Sequence, residues 1–166
     1  MNLTKNFKLI DFTRSQTATR QAIDNTPDGD VVGNLTRLCQ NILQPLRDHT
    51  GFPIIVTSGF RCPLLNVRIG GSKTSQHVFG EAADIMSTEY DERELFDLIR
   101  TSPLEFDQLI YEGNWVHVSH SNKKPNRREV MVAHFKGGKA TYSQAEWTPG
   151  ITWDSLVPVG RPTGNS

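Results

Sequence analysis

Val31, Val32, Leu35, Leu38, Ile42 and Leu46 recur at three- and four-residue steps after Asp28-Gly29-Asp30, a spacing that predicts a helix with one apolar stripe. Pro45 lacks the N–H that a helix interior uses, so the helix is expected to kink or end early there. Pro53 to Thr57 has a different pattern, a short β-branched run closed by Ser58-Gly59, and reads as a buried strand. Arg61 to Ser75 follows neither period and is expected to be short helix and loop, with Gly70-Gly71-Ser72 open to conformations that other residues resist. Glu81 to Met86 predicts a strand. Asp91-Glu92-Arg93-Glu94 then opens a helix whose Leu95, Leu98 and Ile99 face inward, its acidic first turn suiting the positive end of the helix dipole. Asp107 to Tyr111 and Trp115 to Ser119 are separated only by Glu112-Gly113-Asn114, which predicts an antiparallel hairpin. Val130 to Phe135 is the last predicted strand.

Residues 1 to about 27 read as an ordered arm in which Phe7, Leu9, Ile10 and Phe12 pack on the domain. Gly137-Gly138 begins a stretch rich in Pro, Gly, Thr and Ser. The expected organisation is therefore one domain over residues 1–136, arm included, and a tail over 137–166 packed on it or trailing from it. At 166 residues the chain is long enough for a single buried core without staples. Helices outside a small, mainly antiparallel sheet place it in the α+β class.

Charge narrows the partners. The 18 basic and 18 acidic side chains cancel and no block of one sign stands out, so attraction to nucleic acid or to an anionic membrane has no support. No apolar stretch approaches membrane-spanning length. Cys39 and Cys62 lack the spacing of a structural zinc site, and two buried free thiols are favoured over one disulfide. Met1 to Phe7 has neither the basic start nor the apolar run of a secretory signal, so synthesis in the cytoplasm is expected.

The candidate chemistry lies in Ser75-Gln-His77-Val-Phe-Gly80-Glu-Ala82-Ala-Asp84 and in Trp115-Val116-His117, 33 positions after Asp84. Two imidazoles and one carboxylate suit a catalytic zinc with its fourth position open to water. Side chains alternate along a strand, so His117 shares a face with Trp115 and Ser119 while Val116 and Val118 point into a core. Asp84 sits likewise between Ala83 and Ile85, with the small Ala82 on its own face, and Gly80 lets the chain turn between His77 and Asp84. Taken singly, His77 reads as a loop histidine, Asp84 as a strand-end cap and His117 as a hydrogen-bonded core histidine. Five fixed places matched together is a coincidence of about 10⁻⁶ per start position at average usage.

Ser-x-His-x-x-Gly-x-Ala-x-Asp, preceded by Ser58-Gly59-Phe60-Arg61 and followed by Trp115-Val116-His117, resembles the M15 zinc peptidases that cut bacterial cell-wall peptides. Tyr111-Glu112 leading into that tripeptide is also similar to the hedgehog signalling domain, whose zinc fold is related. The resemblance runs from about Phe7 to Phe135. It implies one zinc ion held by His77, Asp84 and His117, with Arg61 and Ser75 contacting substrate. Arg61 would grip a carboxylate or carbonyl through its planar fork; the rival readings are a surface ion pair for Arg61 and a loop hydrogen bond for Ser75. Many relatives carry the general base three residues before the third ligand, where this chain has Asn114. Glu112 is the nearest carboxylate and aligns with the acid of the hedgehog-like branch, so it is the expected base. Trp115 stands where several relatives have an auxiliary histidine, leaving His120 and His134 as conceivable substitutes.

The resemblance thus implies a zinc metallopeptidase hydrolysing amide bonds of peptidoglycan stem peptides, as a D,D-carboxypeptidase or an endopeptidase, with endopeptidase action slightly preferred because the hairpin is short and no long insertion closes the groove. A monomer acting on the cell wall, encoded by a phage as a lysin or virion protein, fits the lack of a signal. The rival class is a zinc-containing binding module or phage structural component without turnover, which Asn114 favours; Arg61, Ser75 and Glu112 favour the enzyme.

Overall fold

The N-terminal arm folds into two short helices, α1 (Leu9–Thr13) and α2 (Gln16–Arg20), in a computed structural model that describes residues 1–156. Leu9 and Phe12, three residues apart on one face of α1, turn inward with Phe7. Ile10 does not pack as expected: one residue further round the turn, it is 56% exposed.

Helix α3 (Gly29–Leu38) starts where Asp28 accepts a hydrogen bond from the Val31 N–H. It does not end early at Pro45. A π-turn over Cys39–Leu43 widens the ladder, the Gln44 N–H reaching the Cys39 carbonyl, and α4 (Gln44–Thr50) continues past the proline. The wider turn drops a rung next to the residue with no N–H to give, so the helical run survives until Gly51, at φ 73°, ends it. Leu35, Leu38, Ile42 and Leu46 are fully buried, as the stripe requires.

The sheet comprises β1 (Ile54–Ser58), β2 (Ala82–Ser87), β3 (Gln108–Tyr111), β4 (Val116–Ser119), β5 (Glu129–Lys136) and β6 (Lys139–Ser143) in the order β1-β2-β4-β3-β5-β6. Only β3 and β5 run parallel. With α5 (Pro63–Arg68) and α6 (Glu92–Arg100), this is an α+β fold with a mainly antiparallel sheet. Strand β1 is an edge strand rather than a buried one: Ile54 and Val56 enter the core while Ile55 is 45% exposed. Val130 to Phe135 is not the last strand either. Gly137 and Gly138, at φ 58° and 76°, make the two-residue turn that only residues tolerant of positive φ allow, and β6 folds back on β5 with every residue exposed.

The sheet has two distinct faces. Ala83 and Ile85 of β2, Leu109 of β3, Val116 and Val118 of β4 and Val132 of β5 belong to the core formed with α1, the long helical run and α6. The alternate residues Asp84, Gln108, Ile110 and His117 line a cleft on the opposite face. Within the expected tail, residues 157–166 lie outside the described residues, and the described part joins the fold. Trp147 packs on Phe96 and Tyr111 under Arg93, and Trp153 stacks on His49 with ring centres 3.7 Å apart. Cys39 is buried, and burial with nearby Asp11 pushes its thiol up to about 12. Cys62 is free but only half-buried, and its sulfur caps α5 at the Leu65 N–H. No helix among the described residues is long and apolar enough to cross a membrane.

Candidate metal centre

Asp84 and His117 are directly opposed on β2 and β4, and His77 reaches them from a short 3₁₀ turn, Gln76–Phe79, that Ser75 caps and Gly80 closes at φ 71°. The His77 Nε2 and His117 Nδ1 lie 3.3 and 3.0 Å from the same oxygen, Asp84 Oδ1. One donor atom from each residue falls within 4.8 Å of the others, and all three side chains are buried. Burial alone would raise the Asp84 carboxyl; the neighbouring His77 and His117 hold it well below the usual carboxylate range. Burial lowers His77, although Asp84 opposes it, so the neutral imidazole is favoured.

The proton on His77 can be placed. Its Nδ1 lies 2.7 Å from the Gly59 carbonyl oxygen, which only accepts, so Nδ1 carries the hydrogen and Nε2 turns its lone pair towards Asp84. A residue larger than glycine does not fit at position 59: a Cβ there would come within 2.6 Å of the Phe12 Cα. The arm is tied to this turn by the Phe60 N–H donating to the Phe12 carbonyl at 2.8 Å. Asn25, buried, finishes the joint by donating to the carbonyls of Thr13 and Phe60 while accepting from the Cys62 N–H. Two neutral-capable imidazoles and an ionised carboxylate converging on one point, with the outer nitrogen of His77 already engaged, fit a divalent metal.

Arg61 enters the same cleft, 3.5 Å from Asp84 Oδ2, with its Nε donating to Ser58 Oγ at 3.3 Å. Glu112 lines the cleft from the end of β3, where its N–H donates to the Trp115 carbonyl across the Gly113-Asn114 turn. Burial, and then the Asp84 carboxylate, raise Glu112 above the ordinary glutamate value. Asn114 is exposed at the turn, outside the lining. The Trp115 indole lines the cleft with its Nε1 buried and unpartnered among the described residues. Ser75 also lines it, although its hydroxyl accepts from the His77 N–H at 3.3 Å and so serves its own turn. Neither His120 nor His134 is in the lining, and His134 instead meets Ser143 Oγ at 2.7 Å on the exposed β5–β6 ribbon.

The family model described as Peptidase M15 matches residues 5–119. The chain belongs to the M15 peptidase family. No curated protein matches it. The M15 match begins in the arm and ends with β4, so it takes in every residue that builds the donor cluster, including two that sequence reasoning passed over. Asn25 gave no signal, being one asparagine in an arm without periodicity. Gly59 stood in the quoted motif, but its close contact with Phe12 involves residues 47 positions apart in sequence.

Proposed function

We propose that the protein is a zinc-dependent peptidase hydrolysing amide bonds in the stem peptides of bacterial peptidoglycan. The observation that carries this reading is the convergence of His77, Asp84 and His117 in one cleft with Glu112 and Arg61, in a member of a peptidase family. His77, Asp84 and His117 would hold the ion. Zinc, when bound, supplies Lewis acidity that polarises a carbonyl and makes water a better nucleophile near neutral pH.

The remaining work falls to the chain. Arg61 orients the substrate by donating to a carbonyl or carboxylate oxygen through its guanidinium. Glu112 accepts a proton from the attacking water as the water oxygen bonds to the scissile carbonyl carbon, then delivers it to the nitrogen as the C–N bond breaks. A carboxyl raised by burial suits both halves of that exchange, since it is neither too weak a base nor too weak an acid. The cleft, of about 1040 Å³, is bordered at β3–β4 by only the short Gly113-Asn114 turn, which supports endopeptidase action on a branched or cross-linked peptide over trimming of a terminal D-alanine. A monomer that reaches the wall as a phage lysin or virion component completes the reading.

Mass spectrometry of muropeptides released from purified sacculi, beside digestion of a free pentapeptide, tests it. Internal cleavage of stem peptides is the expected result. Release of terminal D-alanine alone would make the enzyme a carboxypeptidase. Inertness of the zinc-loaded protein towards both substrates would favour a zinc-containing binding module, the reading that Asn114 in place of the usual acid supports.

A further inference from the structure

Two polar groups in the cleft lack a partner, and they stand side by side. The Trp115 indole Nε1 is buried in the cleft wall with no acceptor among the described residues, although a buried N–H left unpaired is costly. The Glu112 carboxylate lines the same cleft and makes no ion pair among the described residues. A glutamate side chain is long and flexible, and this one is followed by Gly113, at φ 87°, and by the exposed Asn114. A base that must meet one water at hydrogen-bond reach needs its carboxylate held. Nothing in the reaction derived above holds it.

The hairpin puts the two together. Ile110 opposes His117 and Tyr111 opposes Val116, so the next step of the ladder sets Glu112 opposite Trp115, whose carbonyl accepts from the Glu112 N–H at 3.1 Å. Directly opposed side chains share a face, with Cβ atoms about 4.5–5.5 Å apart, and by alternation that face is the one carrying Ile110 and His117. Burial and then the Asp84 carboxylate push the Glu112 carboxyl up, while His117, the Trp115 indole and Arg61 oppose them. The indole thus already favours the ionised carboxylate, without a closed hydrogen bond between them.

Resting on the peptidase reading above, we infer that Trp115 is the positioning residue for Glu112: its indole N–H donates to one carboxylate oxygen and leaves the other turned to the attacking water. An indole only donates, and it keeps its proton throughout the reaction. It therefore does not compete for the proton that Glu112 takes from water and returns to the leaving nitrogen. The same N–H holds the carboxyl in place in both halves of that exchange, so the gain falls on kcat rather than on substrate binding.

The zinc-loaded full chain, isotope-labelled at its indole nitrogens, tests the contact by NMR. Its three tryptophans are Trp115, Trp147 and Trp153, and Trp115→Phe assigns the Trp115 signal by deleting it. Glu112→Gln is expected to shift that indole proton upfield, because a neutral amide oxygen is a weaker acceptor than a carboxylate, and to leave the other two in place. A Trp115 signal that stays put overturns the proposal. Kinetics supply the second arm. Trp115→Phe is expected to keep zinc and KM and to lose about 10- to 100-fold in kcat on wall peptides, the size of a lost hydrogen bond to a charged group. In the Glu112→Gln background the same substitution is expected to cost nothing further, since its effect runs through Glu112. A loss that repeats in full there, or that falls on KM alone, gives the indole to the substrate or to packing and overturns the assignment. A shift in a protein inert towards wall peptides upholds the contact and defeats the peptidase reading; cleavage without the shift does the reverse.

Discussion

At the scale of single residues, the donor cluster places three groups where losing any one leaves the others buried without their partner. His77→Ala and His117→Ala are expected to abolish stoichiometric zinc, read by elemental analysis after dialysis; full occupancy in both would remove the centre from this site. Zinc affinity is also expected to fall in mild acid as the imidazoles protonate. Glu112→Gln preserves shape and removes the proton acceptor, so it should keep zinc and lose about 10²- to 10⁴-fold in turnover on wall peptides. Stability supplies a second readout. Because the folded Glu112 carboxyl titrates above its unfolded value, its contribution to stability is fully present below the unfolded pKa and is lost as pH rises through the folded one. Metal-free Glu112→Gln should therefore be at least as stable as the metal-free parent at neutral pH in urea titrations, with the difference closing in acid. A variant less stable at neutral pH than at low pH, relative to the parent, would contradict that sign.

At the scale of elements, what could be read along the chain was what is local. The alternation around Asp84 and His117, the antiparallel β3–β4 hairpin and the Leu35–Leu46 stripe follow from periods of two or of three and four and from a short connection, and each holds in the fold. What escaped was set by contacts between distant segments. The π-turn before Pro45 keeps Leu38, Ile42 and Leu46 in one core, and β6 has no apolar alternation, since neither of its faces is buried. The orientation of His77 was equally illegible: it rests on a carbonyl fixed by the packing of α1. Gly59→Ala tests that link. With the added methyl forced towards the Phe12 backbone, a loss of about 1–3 kcal/mol is expected, together with a 10- to 100-fold fall in zinc affinity as the Gly59 carbonyl moves away from Nδ1. Competition with a chelator measures the second; loss of stability at unchanged affinity would show that the carbonyl does not orient the ligand.

At the scale of the whole molecule, the metal donors lie on one face of the sheet and the hydrophobic core on the other, so the cleft depends on a core closed in part by residues beyond the M15 match. Asp97, buried in α6, accepts from Arg100 Nε at 2.8 Å, from the Trp147 indole at 2.9 Å and from the Gly150 N–H at 3.2 Å, fastening the C-terminal segment across Phe96 and Tyr111. Tyr111 is the residue before Glu112. Ending the chain after Lys136 removes β6 and Trp147, uncovers that aromatic pair and leaves the buried Asp97 facing only Arg100. The expected cost is at least the ~3 kcal/mol of an aromatic lost from packed contacts, which is a large share of the 5–15 kcal/mol that holds an ordinary domain together. Trp147→Ala should reproduce most of it with β6 intact, because β6 is exposed throughout and buries little. Urea denaturation of the three proteins separates the contributions. A truncated chain as stable as the parent would make the segment a trailing tail, whereas a large loss in both variants would make Trp147 the clasp that holds β3, and with it Glu112, against α6.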